Sequence, residues 1–386
     1  MKIAHLTPVF PPYESGVSSV CFGEVKELAK LGHKITVFTP FYHECLKLKD
    51  LLFRVKYLKP VFEYGNAAFV PQIGNQLRKF DLIHLHYPFC GAVESLLFFR
   101  KIFKRQPPLV LTYHNDLRAE GLKGKIFEVY NRFFLRRIIK EALRVLLSSF
   151  DFISGSQLKD LFPLYRQKLI ELPLGVDTQV FMPRAKRKDL VEKYEIKEND
   201  IALLFIGGLD KPHFYKGLEV VLGAMARLRQ SFPNLKLLVI GEGELKNAYI
   251  NLAENLRLSS RVVFLGQILH KDLSSYYNLA DIFVFPSRQP ETFGLVVLEA
   301  MACSKPIIAS NWPVLRNLVQ PEINGFLFQP GNVQDLTAQI IKFLKKPELI
   351  QKFGQNSRQM VHDGFSWQSH VKKLISIYEE LLNLSK

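Results

Sequence analysis

The chain has 386 residues and a formal charge of +16 at neutral pH, with 48% hydrophobic and 12% aromatic residues. This length and apolar content suffice for two sizeable cores and exclude a disordered protein. The four cysteines are far apart and lack a C-x-x-C spacing, which argues against a disulfide framework or a zinc site and favours a reducing cytoplasm. No uninterrupted apolar run reaches the roughly 18 residues of a membrane span.

The first half of the chain alternates short apolar strands with helical segments. Residues 2–7 predict a first strand rather than a signal peptide, because a histidine and then three prolines interrupt the apolar run. A helix over 17–30 and a strand over 35–39 complete a βαβ unit. Further strands are predicted at 53–58, 82–85, 109–113 and 152–154.

A stretch rich in chain breakers, 173–177, precedes a charged segment, and the domain boundary is predicted there. A second series of strands follows, at 202–206, 235–240, 261–265, 282–285 and 306–309. The pattern predicts an α/β protein with two doubly wound, Rossmann-like parallel-sheet domains, 1–177 and 178–364, that face each other across a cleft. The last segment, 365–386, predicts a long terminal helix.

Much of the positive charge lies between residues 100 and 144. A helical projection of 125–147 places five basic residues on one side, namely Arg132, Arg136, Arg137, Lys140 and Arg144. Val129 and Phe133 lie among them, a mixture typical of a helix on an anionic membrane surface. The alternative is an ordinary amphipathic helix with a solvated basic face. No RNA-binding signature or zinc-finger spacing occurs, so nucleic acid is not expected as a partner.

Two carboxylates, Glu291 and Glu299, lie eight positions apart across a predicted helix start. A helix that begins after Thr292 places Phe293, Gly294 and Leu295 at its N-terminus, where free amides and the helix dipole favour a phosphate or a sugar hydroxyl. Glu299 is the only charge between 294 and 303, and a buried carboxylate needs a partner. The alternative is that Glu291 caps the helix and Glu299 pairs with a neighbouring Arg or Lys.

Other candidate residues follow predicted strands. Lys216 lies in a loop after the strand at 202–206, where it could neutralise a diphosphate; the alternative is a solvated lysine. Gly16 allows a phosphate or acceptor near the backbone. His84 and His86 share one face of their strand, but no carboxylate or cysteine stands beside them in the sequence, so we expect His86 to line the acceptor side rather than to bind a metal.

Taken in order, these motifs resemble those of family 4 retaining glycosyltransferases, the glycosyl transferases group 1, which have the two-domain GT-B fold. The segment from Glu291 to Glu299 resembles the E-x7-E motif, whose first Glu contacts the donor sugar and whose second contacts the ribose. The segment Thr112-Tyr-His114 resembles a T-x-H motif whose His lies against the donor sugar and phosphate. In that family the terminal helix crosses back onto the first domain.

The sequence departs from the family pattern at three places. Gly208 stands where an Arg usually shares the diphosphate charge with the Lys, so Lys216 carries more of it or another base, Arg184 or Arg316, replaces the Arg. Ser15 stands where the family commonly has a first glycine. Asn317 stands where the family usually has Glu.

The resemblance implies a retaining transferase that moves a hexose of mannose or glucose type from a nucleoside-diphosphate sugar to a glycan or lipid-linked acceptor, without cofactor or metal. The implied catalytic residues are His114, Lys216 and Glu291. The implied donor-binding residues are Gly16, Phe293, Gly294, Leu295 and Glu299. Asp116 joins His86 on the expected acceptor side. The expected location is cytoplasmic, with a peripheral position on the inner face of the membrane through 125–147.

Two other functions stay open. Nucleotide-sugar 2-epimerases share this architecture and bind the same class of donor. A nucleotide-sugar-binding protein without catalysis is suggested by Gly208 and by Asn317, where the family pattern is broken.

Overall fold

Two parallel sheets organise the chain. The computed structural model describes residues 1–13, 15–41, 51–64, 67–103, 106–117 and 121–384. One unit consists of Met1–Gly175 with Trp367–Lys386, and the other of Val176–Ser366. The sequence predicts the corresponding divisions after residues 177 and 364. Among the described residues, no helix is both long enough and apolar enough to cross a membrane.

The first unit is built on seven parallel strands in the order β3-β2-β1-β6-β7-β8-β9, with a separate antiparallel pair, β4 and β5. Its strands are β1 Lys2–Leu6, β2 Lys34–Pro40, β3 Arg54–Leu58, β4 Phe62–Tyr64, β5 Ala67–Phe69, β6 Leu82–Tyr87, β7 Leu109–Tyr113, β8 Arg144–Leu147 and β9 Leu169–Glu171. Its first helices are α1 Gly16–Lys30, α2 Ile73–Leu77, α3 Ala92–Ile102, α4 Gly121–Tyr130, α5 Arg136–Glu141 and α6 Phe162–Tyr165. The strand order reverses between β1 and β6, which is where such sheets bind ligands.

The second unit has six parallel strands in the order β12-β11-β10-β13-β14-β15. These strands are β10 Ile201–Ile206, β11 Leu235–Ile240, β12 Val262–Gly266, β13 Ile282–Phe285, β14 Ile307–Ser310 and β15 Gly325–Phe328. Its helices are α7 Lys188–Lys193, α8 Leu218–Leu228, α9 Lys246–Asn255, α10 Leu273–Leu279, α11 Leu295–Ala302, α12 Pro313–Arg316, α13 Val333–Lys345 and α14 Glu348–Gly364. Here the order reverses between β10 and β13. Most of these strand residues are buried, as expected when helices cover both faces of a parallel sheet.

The terminal helix, α15 Trp367–Leu384, belongs to the core of the first unit and packs on α1. Gly23 makes this packing close, because a Cβ at that position would lie 2.3 Å from the Trp367 ring. Leu374, Tyr378 and Leu381 extend the same apolar cluster. The predicted helix is therefore present and is an integral part of the unit that begins the chain.

Two predicted elements are wrong. The predicted strand at 152–154 is part of a 3-10 helix, Phe150–Gly155. The predicted helix over 125–147 ends at Glu141, contains a π-helical turn over Asn131–Leu135, and is followed by β8. Since Val145 to Leu147 are buried between β7 and β9, their short apolar run is a central strand, which periodicity alone cannot distinguish from a buried helix. The prediction also missed β4, β5, β9 and β15.

Candidate functional site

The second unit brings Lys216 and Glu291 together at the point where its strand order reverses. Lys216 follows β10 and Glu291 follows β13, the neighbouring strand. The Lys216 Nζ donates a hydrogen bond to Glu291 Oε1 at 2.7 Å, and the two side chains are 20% and 11% exposed. Two residues predicted to be catalytic therefore form one ion pair, the charged pair, at the carboxyl ends of adjacent strands.

Two loops lie against each other to form this pair. Gly217 has φ +78°, and a Cβ there would lie 2.2 Å from the Pro286 carbonyl oxygen. The Arg288 amide also donates to the Tyr215 carbonyl at 2.7 Å. A glycine is therefore required at 217 both by its backbone conformation and by the close approach of the second loop. This packing places the Lys216 ammonium beside the Glu291 carboxylate.

The ammonium of Lys216 is held in its charged form. Burial lowers the pKa of Lys216, but the negative charge of Glu291 and the hydrogen bond to it outweigh burial and raise the pKa overall. A charged ammonium fixed at the end of a sheet is suited to bind and stabilise a phosphate group. The carboxylate partner can exchange this contact for a hydrogen bond from a ligand.

The second carboxylate, Glu299, lies in α11 with both oxygens occupied. Its Oε2 accepts a hydrogen bond from the Tyr277 hydroxyl at 2.7 Å, and its Oε1 lies 3.0 Å from His270 Nε2. Its described partners are therefore a Tyr and a His, rather than the Arg or Lys considered from the sequence. Burial, and then the charge of Glu299, raise the pKa of Tyr277, which keeps that hydroxyl protonated as a donor.

The start of α11 is where the sequence predicts it. Gly294 is the N-cap with φ +100°, in the left-handed region that favours glycine. The first intrahelical bond runs from the Val297 amide to the Gly294 carbonyl at 2.9 Å, so the amides before it have no partner within the helix. Phe293 is buried, whereas Leu295 is partly exposed. The helix therefore presents backbone donors on the chain segment that links Glu291 to Glu299.

Gly208, where the resembling family has an Arg, lies under the ring of His213. A Cβ at position 208 would lie 2.9 Å from that ring, so the His213 side chain occupies the space that a longer residue would need. The ring is held by Asp210, whose Oδ1 lies 2.6 Å from His213 Nδ1. Of the two other bases considered, Arg184 is exposed, and Arg316 donates to Asn311 Oδ1 at 2.8 Å.

In the first unit, His114 follows β7 and lies against His86 from β6. His86 Nδ1 and His114 Nε2 are 2.9 Å apart, and their rings stack with centroids 5.2 Å apart. His86 is fully buried, whereas His114 is partly exposed. His86 can therefore act on a ligand only through a neighbour such as His114, and its predicted place on the acceptor side stays a prediction.

Gly16 lies at the start of α1, and Asp116 is hydrogen-bonded to nearby residues of the first unit. Gly16 begins α1 and is exposed, and no atom of the described part of the chain lies within 4 Å of a Cβ built there. Ser15 is the N-cap, and its hydroxyl accepts from the Ser18 amide at 3.1 Å, which explains a serine where the family has glycine. Asp116 is buried and accepts hydrogen bonds from the Tyr113 hydroxyl and the Gln157 amide. Their ligand roles stay predictions.

A carboxylate does lie beside the His84 and His86 pair, contrary to the expectation from the sequence. Glu24 from α1 and His5 from β1 complete a buried group of four residues, each with one ligand-type atom, all within 4.8 Å of one another. These residues could hold a metal ion. However, His5 Nδ1 already lies 3.1 Å from His86 Nε2, and His84 Nδ1 lies 2.6 Å from the Tyr378 hydroxyl. The geometry is that of a hydrogen-bonded cluster.

Two Rossmann-like units, each with polar residues at the reversal point of its sheet, place the chain in the class of two-domain α/β proteins with the GT-B fold. The family model described as Glycosyl transferases group 1 matches residues 186–360, and that described as Glycosyltransferase Family 4 matches residues 15–180. The chain belongs to this family and is a glycosyltransferase.

Named relatives agree with the family over most of the chain. A phosphatidyl-myo-inositol mannosyltransferase of Mycolicibacterium smegmatis is 26% identical over 98% of this chain and 94% of that protein. An alpha-monoglucosyldiacylglycerol synthase of Streptococcus pneumoniae is 27% identical over 89% of this chain and 78% of that protein. The crystal structure of Anabaena HepE in complex with UDP-glucose is similar in fold, with a TM-score of 0.79 at 21% identity, over 98% of this chain and 100% of that chain.

Proposed function

We propose that this glycosyltransferase moves a hexose of mannose or glucose type from a nucleoside-diphosphate sugar to a hydroxyl of a glycan or glycolipid, with retention and without a required metal. The observation that carries the proposal is the charged pair of Lys216 and Glu291 at the reversal point of the second sheet. A leaving diphosphate needs a nearby positive charge, and a hexose needs acceptors for its hydroxyl groups. The pair supplies one of each.

The reaction breaks the bond between the anomeric carbon and the diphosphate oxygen and forms a bond from that carbon to the acceptor oxygen. The acceptor proton leaves with the diphosphate. Negative charge therefore develops on the departing oxygen, where Lys216 and the first amides of α11 stabilise it in place of a metal ion. Substitution on the same face of the sugar gives retention, as the family resemblance implies.

The remaining residues are proposed to bind the other parts of the nucleotide sugar. Glu291 orients the sugar, and Glu299 accepts hydrogen bonds from the ribose in exchange for one of its present partners, His270 or Tyr277. In the first unit, His114 contributes to binding the sugar and phosphate. The two named relatives are a mannosyltransferase and a glucolipid synthase, which supports a hexose donor and a lipid-linked acceptor.

A screen of nucleotide sugars tests the donor. A ligand that binds only the folded state raises stability by mass action, by about 2.7 kcal/mol at a hundred times its Kd. We expect a nucleoside-diphosphate hexose to raise the Tm, and the nucleoside monophosphate to raise it less because Lys216 then lacks a second phosphate. The same donor should support transfer to a glycolipid in the presence of a chelator. If no nucleotide sugar changes the Tm, the donor class is wrong.

Lys216→Ala tests the charged pair, with Lys186→Ala as the matched control. Lys186 forms an ion pair of the same 2.7 Å length with Asp281, the residue just before β13, whereas Glu291 follows the carboxyl end of that strand. We expect Lys216→Ala to lower kcat by about 100-fold and Lys186→Ala to leave it within about twofold. Equal losses in the two variants would mean that the pair only supports the fold.

The basic and apolar surface at residues 126–140 supports a further part of the proposal, peripheral binding to an anionic membrane. Ile126, Val129 and Phe133 are 59%, 57% and 52% exposed. Four basic residues in the same segment are exposed, namely Arg132, Arg136, Arg137 and Lys140. Apolar side chains among cations fit an interface of acyl chains and anionic headgroups. Arg144, placed on this surface by the sequence, lies instead in β8.

Vesicle binding tests this surface. The wild-type chain should bind phosphatidylserine vesicles at low salt, because each Lys or Arg near the surface contributes about 1 kcal/mol. It should dissociate from them at high salt, because salt screens this attraction. Arg136→Glu should weaken binding about tenfold or more, and Lys352→Glu, an exposed change on α14, should weaken it far less. Binding that ignores salt, or that both variants weaken equally, would rule out the surface.

A further inference from the structure

Two histidine rings, those of His5 and His86, connect the interior of the first unit to His114. His5 Nδ1 lies 3.1 Å from His86 Nε2, and His86 Nδ1 lies 2.9 Å from His114 Nε2. Each gap holds one proton, because two ring nitrogens that both carry hydrogen, or that both lack it, do not attract each other. We call His5, His86 and His114 the histidine chain. Burial lowers the pKa of all three rings, so each is neutral and carries one proton.

Only two proton arrangements are consistent with these contacts. In the first, His5 donates from Nδ1 to His86, His86 donates from Nδ1 to His114, and His114 carries its own proton on Nδ1. In the second, every proton moves to the other nitrogen, so that His114 donates inward from Nε2 and His5 carries its proton on Nε2. The proton on His5 Nε2 therefore distinguishes the two arrangements.

The surroundings of His5 select the first arrangement. Its Nε2 is buried and has no hydrogen-bond partner among the residues that the structure describes. A buried N–H group without an acceptor is rarer and more costly than a nitrogen lone pair without a donor. The first arrangement leaves only a lone pair at His5 Nε2 and satisfies both ring-to-ring contacts of the histidine chain. The proton of His114 then lies on Nδ1, the nitrogen that faces away from His86.

We propose that His5 and His86 are positioning residues that hold His114 with its proton on Nδ1, so that the ring offers a hydrogen-bond donor to the diphosphate of the sugar donor. This inference rests on the proposed function for its substrate and on the first unit alone for its geometry. A neutral donor held by packed rings needs no reorientation when charge develops on the leaving group, which is how a preorganised site stabilises a transition state.

The two hydrogen bonds of His370 show how the charge of the buried Glu24 carboxylate is compensated. His370 Nδ1 lies 2.7 Å from the Pro173 carbonyl and must donate to it. His370 Nε2 lies 3.0 Å from Glu24 Oε1, and a neutral ring would present a lone pair to that oxygen. One additional proton is therefore shared by His370 and Glu24, which makes the pair neutral as a unit. The carboxylate is thus compensated without a cation from outside the chain.

This compensation decides against a metal at the same four residues. Glu24 Oε2 accepts no hydrogen bond from a described residue and lies 3.7 Å from His84 Nδ1, 3.7 Å from His86 Nε2 and 4.0 Å from His5 Nδ1. Ligand atoms on a tetrahedral zinc with bonds of about 2.0 Å lie roughly 3.3 Å apart. An ion would have to contract these separations and replace the hydrogen bonds of His5 and His84.

Nitrogen NMR of the full chain with labelled histidine tests the tautomer. The His114→Gln variant removes the signals of His114 and so assigns them. We expect Nδ1 of His114 to have the shift of a protonated nitrogen and Nε2 that of an unprotonated one. In His86→Leu the two forms should mix, whereas in His86→Asn, whose amide can still donate toward His114, the Nδ1 form should persist.

Kinetics separate positioning from folding, with His84→Leu as the matched control. His84 lies on the same strand, is equally buried and bonds Tyr378 and Thr112 outside the histidine chain. We expect His86→Leu to lower kcat about tenfold, equivalent to about 1.4 kcal/mol, with donor KM changed by less than about twofold. His86→Asn should recover most of this loss. His84→Leu should lower the Tm but leave kcat within about twofold.

The outcomes distinguish this inference from the proposed function. If His114 carries its proton on Nδ1 but no nucleotide sugar supports transfer, the histidine chain stands and the proposed function fails. If transfer occurs while His114 carries its proton on Nε2, the inference is wrong. It is also wrong if His84→Leu and His86→Leu lower kcat equally, or if the purified chain contains one equivalent of a transition metal that His86→Leu removes.

Discussion

The two sheets place polar side chains at equivalent points but use different chemistry. The second unit keeps full charges at its reversal point, Lys216 and Glu291, with side chains still 20% and 11% exposed. The first unit uses neutral rings, and His5 and His86 are fully buried there. A charge that can exchange its partner for a ligand is best kept near the surface, whereas buried polarity must be satisfied within the protein. The comparison predicts that acid, mutation and ligand affect the two units differently.

The largest expected difference is the response to mild acid. Burial lowers the pKa of His5 and of His114 to about 3, and those of His84 and His86 well below the usual value. The unfolded chain therefore takes up protons near pH 6.5 that the folded first unit refuses. The stability from these rings is complete above that pH and is lost as the pH falls toward 3, by up to about 1.4 kcal/mol per ring and pH unit.

One group acts in the opposite direction. Burial raises the pKa of Glu24, and the hydrogen bond to His370 offsets only part of this increase. The stability that Glu24 contributes is therefore lost as the pH rises, whereas the stability from the rings is lost as the pH falls. Since the effect of one carboxyl opposes that of four rings, the first unit should still lose stability as the pH falls.

The two tryptophans allow this loss to be measured in each unit, since Trp367 lies in the first unit and Trp312 in the second. Trp312→Phe and Trp367→Phe each keep one tryptophan, whose fluorescence follows the urea unfolding of its own unit at pH 7, 6 and 5. Equal losses of stability in the two units as the pH falls would contradict the comparison.

The next largest effect is expected for His370→Ala. This change leaves the Pro173 carbonyl and Glu24 Oε1 without their described partner in the interior of the first unit. Breaking such a buried pair should lower the free energy of unfolding by about 3 kcal/mol. His362→Ala, an exposed change on α14, should alter it by less than about 0.5 kcal/mol. A loss below about 1 kcal/mol for His370→Ala would mean that the shared proton contributes little.

A smaller effect is expected in the second unit for Gly217→Ala, with Gly331→Ala as control. Both glycines have positive φ, +78° and +77°. A Cβ at 217 would lie 2.2 Å from the Pro286 carbonyl oxygen, whereas a Cβ at 331 would have no atom of a described residue within 4 Å. Gly331→Ala therefore measures the conformational cost alone, about 1 kcal/mol. Gly217→Ala should cost about 2 kcal/mol and also lower transfer about tenfold, because the loop that holds Lys216 must move. Equal effects would show that the loop contact does not position the pair.

The sequence predicted the charged pair better than the histidine chain because of how each is encoded. Lys216-Gly217 and the segment from Glu291 to Glu299 are local patterns next to recognisable strands, and the family resemblance applies to them. Neighbouring parallel strands then bring their carboxyl ends together. Both the parallel-sheet fold and the place of α11 were therefore predicted correctly.

The histidine chain depends on residues far apart in the sequence. His5, Glu24 and His370 lie on β1, α1 and α15, and no spacing marks them as neighbours. The strand register that places His5 opposite His84 is visible only in the structure. Likewise, the apolar run of β8 was taken for the end of a helix because four residues cannot establish a period. Long-range pairing, rather than local pattern, is the information that was missing.

The smallest expected effect concerns Glu299, which tests whether the second unit uses its carboxylates for ligands. Glu299→Gln is nearly isosteric and keeps an oxygen for the Tyr277 hydroxyl, so stability should change by less than about 1 kcal/mol. The lost negative charge should weaken donor binding about tenfold, because a carboxylate accepts hydrogen bonds from ribose hydroxyls more strongly than an amide does. Calorimetry of donor binding checks this, with Glu254→Gln, an exposed change on α9, as control. If both variants bind the donor as the wild type does, Glu299 is a buried partner of Tyr277 and His270, and only the charged pair at the reversal point distinguishes the second unit from the first.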